Sequence, residues 1–99
     1  MIFEQLRNKA LETKIDKQVK NGKNYIAVRL IQNMSQNERR KFIDKYFEEF
    51  SIGDVVDLVQ GMDDELKKEI IEKHVAKLGQ DMLFIVNTMN DEFKKKIIE

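Results

Sequence analysis

An all-α protein, with an N-terminal helix followed by about three stacked helix-turn-helix repeats of roughly 27–28 residues each, is the fold this sequence predicts. Three observations carry the prediction. Proline is absent and glycine occurs four times in 99 residues, so little forces the chain out of helix. A junction of a methionine and a helix-capping residue recurs at a nearly fixed interval, as Met34-Ser35, Met62-Asp63 and Met89-Asn90. Between the junctions, apolar residues fall at helical spacing.

The leading segment, residues 1–24, reads as a helix that ends near Asn21 and Gly22 and lies outside the repeat. Its apolar stripe is discontinuous, with Ile2, Phe3, Leu6 and Ala10 on one side and Leu11, Ile15 and Val19 almost opposite. Such a helix covers two faces or bends, and a cap over the first repeat is its simplest role. A rival reading folds Ile15 to Ile31 into a β-hairpin around Asn21-Gly22, because Tyr25 to Ile31 is rich in strand formers. The repeat register instead places Ala27 to Met34 in a helix.

The repeats occupy residues 25–52, 53–79 and 80–99, the last one shortened, and together with the leading helix make one helical domain over 1–99. Aligning the methionines matches MSQNERRKFID, MDDELKKEIIE and MNDEFKKKIIE, of which the second and third agree at eight of eleven positions. Upstream, Leu30, Leu58 and Ile85 fall together, as do Ile31, Val59 and Val86. Each unit therefore predicts a short first helix, buried through residues such as Ala27, Ile31 and Met34 or Val55, Leu58, Val59 and Met62. A longer second helix follows, with Phe42, Ile43, Tyr46, Phe47 and Phe50 buried in the first unit. In the second unit the stripe is Leu66, Ile70, Ile71, His74, Val75 and Leu78, stopped by Gly79. Glu38 replaces the apolar residue found as Leu66 and Phe93, because Ser35 and Glu38 have the spacing of a capping box; Ser51 or Asp54 caps the next helix after Gly53.

Two-helix units that cannot bury their apolar faces alone stack side by side. Over residues 25–99 the pattern resembles a short HEAT- or armadillo-like α-α superhelix, with units shorter than is usual in those families. The resemblance implies a binding surface rather than a reaction.

Composition narrows the function classes. Lys plus Arg equals Asp plus Glu at 18 each, unlike the large positive excess of a general nucleic-acid binder. The charges are uneven along the chain: residues 1–24 carry six basic and three acidic groups, residues 51–78 four and seven. There is no cysteine for a disulfide or a thiolate metal site, and the longest apolar run, Met82 to Val86, is far too short to span a bilayer. With no signal-like segment, the expected location is cytoplasmic, with no membrane partner. Serine occurs only at helix junctions, and no glycine-rich phosphate loop exists, so the expectation is a protein that is not an enzyme and needs no cofactor or metal.

Three features remain as candidates for function. A recurring basic step, Arg39-Arg40-Lys41, Lys67-Lys68 and Lys94-Lys95-Lys96, forms a ladder once the units stack. It either follows a phosphate backbone or is a solvated face stitched by i to i+4 pairs such as Asp64 with Lys68 and Asp91 with Lys95. The last short helix is apolar nearly all round, and Phe84 stands where the other units place Arg29 and Asp57. Phe84 and Leu83 are thus candidate contacts, unless the terminal unit buries them itself. His74, the single histidine, aligns with Tyr46 and reads as a packing residue, since nothing completes a metal site around it. The function expected is recognition of another protein by an adaptor, inhibitor or regulatory subunit. Leu83 and Phe84 would make apolar contacts, with Arg39, Arg40, Lys67, Lys68, Lys94 and Lys95 as a charged rim. Nucleic-acid binding through the basic ladder is the alternative. An open end exposing Ile97 and Ile98 would favour a homodimer through the C-terminal repeat.

Overall fold

The computed structural model describes residues 2–98, with side chains as far as Lys95. The elements are α1 (Ile2–Lys20), α2 (Asn24–Gln32), α3 (Gln36–Lys45), α4 (Ile52–Val59), α5 (Asp64–Lys73), α6 (Val75–Leu78), a 3-10 turn (Gly79–Asp81), α7 (Met82–Val86) and α8 (Asp91–Ile98). The fold is all-α, and no strand occurs among the described residues. The hairpin alternative fails because Asn21 and Gly22 join two helices, with Gly22 at φ +75° turning the chain.

The junction residues cap as expected at most positions. Ser35 accepts from the Glu38 amide, Asn90 from the Phe93 amide, and Ser51 with Asp54 makes a reciprocal capping box at the start of α4. Asp63 makes no cap bond within α5. It is held instead by Gln36 of the preceding unit, whose amide accepts from the Asp63 N–H and donates to its carboxylate, both at 2.8 Å.

Helix α1 packs on α2, α2 on α4 and α4 on α7 in sequence, with α3 beside α5. The result is a slab of 45 × 30 × 18 Å. One core runs through it, and Ile15, Ile31, Ile43, Leu58, Ile70 and Ile85 are each sealed from solvent.

Two expectations need correction. The second helix of a unit is not continuous. In the first unit it ends at Tyr46 (φ −111°, ψ 21°), and in the second at His74 (φ −113°, ψ 21°), before α6 resumes and Gly79 at φ +52° closes it. At both breaks the ring meets the preceding unit: Tyr46 donates its hydroxyl to Asp16 of α1 at 2.7 Å, and His74 Nε2 lies 2.7 Å from Asp44 of α3. The break and the contact thus coincide at the same step of both units. Val75, placed in the buried stripe, is exposed just after that break, whereas Phe47 at the same step of the first unit is buried.

Helix α1 caps the first unit with only its second half. Ile15 and Val19 are buried there, while residues 2–10 are all exposed.

The α1 sequence also keeps the spacing of the later helices. Ile15-Asp16-Lys17, Ile43-Asp44-Lys45 and Ile71-Glu72-Lys73 follow one another at an even interval. Further back, Ile2, Phe3 and Leu6 precede Leu30, Ile31 and Met34 by the same step. Arg7 stands where Ser35, Asp63 and Asn90 stand in the other units, and arginine is no N-cap residue. With no junction made, α1 runs straight through this point, and the residues that would close a first helix stay on its surface.

Candidate interaction surface

The basic ladder is assembled in register and then largely consumed by the fold. Arg39 donates through Nη1 to the Leu58 and Gln60 carbonyls at 3.3 and 3.0 Å. Lys67, one unit later, donates to the Thr88 carbonyl at 3.0 Å, with the Asp64 carboxylate 3.6 Å away. Both cations brace the next unit where its first helix ends, satisfying carbonyls left over at a helix C-terminus. Lys67 is only 3% exposed. Its expected place on an accessible charged rim is therefore incorrect: its ammonium is turned inward because the adjoining turn offers it acceptors.

The other ladder residues lie nearer the surface. Arg40 pairs with Glu69 of the next unit. Lys68 meets Glu72 at 3.7 Å and Lys94 meets Asp91 at 3.7 Å, in place of the expected Asp64–Lys68 and Asp91–Lys95 pairs. Lys95 is exposed, and Lys96 lies outside the residues whose side chains are described. Five of the six ladder residues singled out from the sequence thus already face a carboxylate or a backbone carbonyl.

A second row of polar contacts joins the units on the side of the helix breaks. Asp44 takes His74 and, at 3.0 Å, Lys73; Lys45 reaches Glu12 at 3.2 Å; Lys77 donates to the Phe47 carbonyl. The His74 ring stacks on Phe47 with centroids 3.8 Å apart and planes 3° from parallel. Burial alone would raise the Asp44 carboxyl, but the hydrogen bonds from His74 and Lys73 outweigh it and hold Asp44 below the ordinary value of 3.8. Hydrogen bonds from Lys20 and Tyr46 likewise lower Asp16. Burial, then the bond to Asp16, raises the Tyr46 phenol. His74 is accordingly a packing and pairing residue, and no cluster of three metal-ligating side chains occurs among the described residues.

The apolar candidates are both accessible but do not act together. Phe84 is 55% exposed and borders a shallow depression of about 450 Å³, lined also by Ile52 and Val56 of α4 and by Asp54 and Asp57. Leu83 does not line it. It occupies the register of Val28 and Val56, which neighbouring helices cover wholly or partly in the earlier units. Sequence reasoning singled out Phe84 through its alignment with Arg29 and Asp57, both of which are exposed or nearly so at the surface. It missed the exposed set Ile2, Phe3 and Leu6, whose counterparts Leu30, Ile31 and Met34 one even step on are apolar and lie in or against the core. The expected contacts at Ile97 and Ile98 lie outside the described side chains. No helix among the described residues is long and apolar enough to cross a membrane.

Comparison with family models, with curated protein sequences and with solved structures finds no match, so the reading of this surface rests on the chain's own residues.

Proposed function

We propose that this chain is a non-catalytic protein-recognition module of the adaptor, inhibitor or regulatory type, built as a short HEAT- or armadillo-like stack of helix pairs. The observation that carries the reading is Phe84, an aromatic ring left in solvent beside the apolar side chains of Ile52 and Val56. An exposed aromatic next to a depression resembles the anchor sites that supply most of the energy in protein interfaces. Asp54 and Asp57 in the same lining suit a partner segment that carries apolar side chains flanked by lysine or arginine. Leu83, exposed on the same helix, extends the apolar surface, and Arg40, Lys68, Lys94 and Lys95 remain as the cations nearer the surface. Arg39 and Lys67 serve the fold instead.

Nucleic-acid binding through the ladder is the less favoured reading, because counterion release needs cations whose charge is not already matched. Arg40, Lys68 and Lys94 each pair with a neighbouring carboxylate.

A photo-crosslinking side chain placed at position 84, followed by mass spectrometry, tests the proposal. A discrete protein adduct that disappears on competition with unlabelled wild type, and that Phe84→Asp protein cannot compete away, is the expected result. Tight binding to labelled DNA or RNA that weakens steeply with salt and is lost on reversing Lys68 and Lys95 would overturn it.

A further inference from the structure

We infer that the Phe84 depression takes an arginine of the partner, its guanidinium stacked on the ring and its N–H groups turned to Asp54 and Asp57. The inference rests on Phe84 being a protein-recognition residue and names the side chain recognised there.

The depression belongs to a face of the repeat and not to its end. Phe84 holds the register of Arg29 on α2 and Asp57 on α4. Both of those helices have neighbours on two sides, α2 between α1 and α4, and α4 between α2 and α7, and both residues are nevertheless exposed. A further helix packed on the far side of α7 would therefore leave this register open too. Nor is Phe84 an isolated ring, since Ile52 and Val56, both only partly buried, line the same depression.

The charges of the lining select the ligand. Two carboxylates and no cation stand beside the ring and the two aliphatic side chains. Asp54 is fixed in place by its capping box: one oxygen accepts from the Ser51 amide at 3.1 Å, and the other makes no hydrogen bond among the described residues. Asp57 is exposed, and among the described residues its carboxylate has neither a donor nor a cation, Arg29 of α2 included; Gln32 reaches only its backbone carbonyl. A wholly apolar anchor would strip water from these carboxylates and give nothing in return, which costs free energy. A cation compensates them.

Arginine fits this set better than lysine. Its guanidinium is planar and weakly hydrated, so one face can lie on a ring while the N–H groups around its edge reach carboxylates. Its methylene stem is apolar and suits Ile52 and Val56. A lysine ammonium is a compact, strongly hydrated charge, and a single ring does not enclose it.

Amide NMR titration of the full chain with three capped pentapeptides, identical except for a central arginine, lysine or citrulline between leucines, tests the inference. Citrulline keeps the shape of arginine and removes its charge. The arginine peptide should shift the signals of Gly53, Asp54, Asp57 and Phe84 along a saturable curve. The lysine and citrulline peptides should bind at least about twofold more weakly, the least that one exposed cation–ring contact supplies. Phe84→Leu, which keeps an apolar side chain without the ring, and Asp57→Asn should each weaken the arginine peptide by about two- to fivefold. A citrulline or lysine peptide that binds as tightly as the arginine peptide overturns the inference. So does an arginine peptide whose shifts fall on other residues or do not saturate. These comparisons use the wild-type chain alone and stand whether or not a variant folds. In any of those cases a protein adduct at position 84 would keep Phe84 as a recognition residue, with an apolar anchor in place of arginine.

Discussion

Replacing Lys67 by methionine isolates the inter-unit brace. Methionine keeps an unbranched apolar stem in the same channel and removes only the ammonium, which donates to the Thr88 carbonyl at 3.0 Å and lies 3.6 Å from Asp64. A hydrogen bond from a charged donor contributes about 1.5–3 kcal/mol, and the stranded carbonyl adds a desolvation penalty. Two effects reduce the loss. Burying an ammonium is itself costly, so deleting it recovers part of the energy. Asp64 also keeps the two Asn90 donors at 3.3 and 2.9 Å and is not abandoned without a partner. The expected net destabilisation is about 1–2 kcal/mol by the same scale. For a chain of this length that corresponds to a fall in Tm of about 4–16 °C. Lys67→Arg should stay within about 0.5 kcal/mol of wild type, since Arg39 makes the equivalent brace one unit earlier. Lys67→Glu, which sets a second carboxylate beside Asp64 and Thr88, should cost more than about 3 kcal/mol. Urea denaturation followed by circular dichroism measures all three. A Lys67→Met protein as stable as wild type, or a Lys67→Glu change no more costly than Lys68→Glu, would refute the brace and return Lys67 to the solvated face.

Further expectations concern the seam between units and the surface. Asp44 has a folded value held below 3.8, so its contribution is present above that pH and is lost as acid titrates through the depressed value; Asp44→Asn should flatten the acid limb of the stability curve. His74→Ala, which loses the Phe47 stack and the Asp44 partner, should cost about 1–3 kcal/mol in the same urea assay. Tyr46→Phe leaves the ring but removes its bond to Asp16, so amide exchange in residues 11–20 should quicken while that in α7 does not. Gly79→Ala should cost about 1–3 kcal/mol through backbone strain alone, because φ is +52° and nothing lies within 4 Å of an added Cβ. Phe84→Asp should leave stability within about 0.5 kcal/mol of wild type, and a larger loss would mean that the ring packs against its own unit.

What the sequence made readable was periodicity, and what it hid was direction. The junctions at Ser35, Ser51 and Asn90 could be read because a cap is a local device, satisfied within a single helical turn. The core positions Ile31, Leu58 and Ile85 could be read because burial repeats with the unit. The helix breaks at Tyr46 and His74 could not, since the partner each ring meets there lies a full unit back, at Asp16 and Asp44. Lys67 failed for a related reason. Nothing in the run Lys67-Lys68 distinguishes a cation that turns inward from one that turns outward until the next unit supplies the Thr88 carbonyl. At the candidate site, Phe84 could be placed because its counterparts Arg29 and Asp57 are polar, whereas the counterparts of Phe3 are apolar and buried and so hide its exposure.

The division of the basic step follows from that same geometry. The first cation of each pair, Arg39 or Lys67, reaches forward to the carbonyls that end the next unit's first helix. The second, Arg40 or Lys68, lies outward beside Glu69 or Glu72. A forward brace at the first position depends less on salt, because its acceptors are backbone carbonyls with no net charge to screen. The outer pairs are screened as ionic strength rises, at about 0–1 kcal/mol each. Salt should therefore change what this surface attracts far more than it changes how the units stack. An ionic-strength series that left partner capture at Phe84 intact while lowering stability by several kcal/mol would contradict this assignment of the two cations.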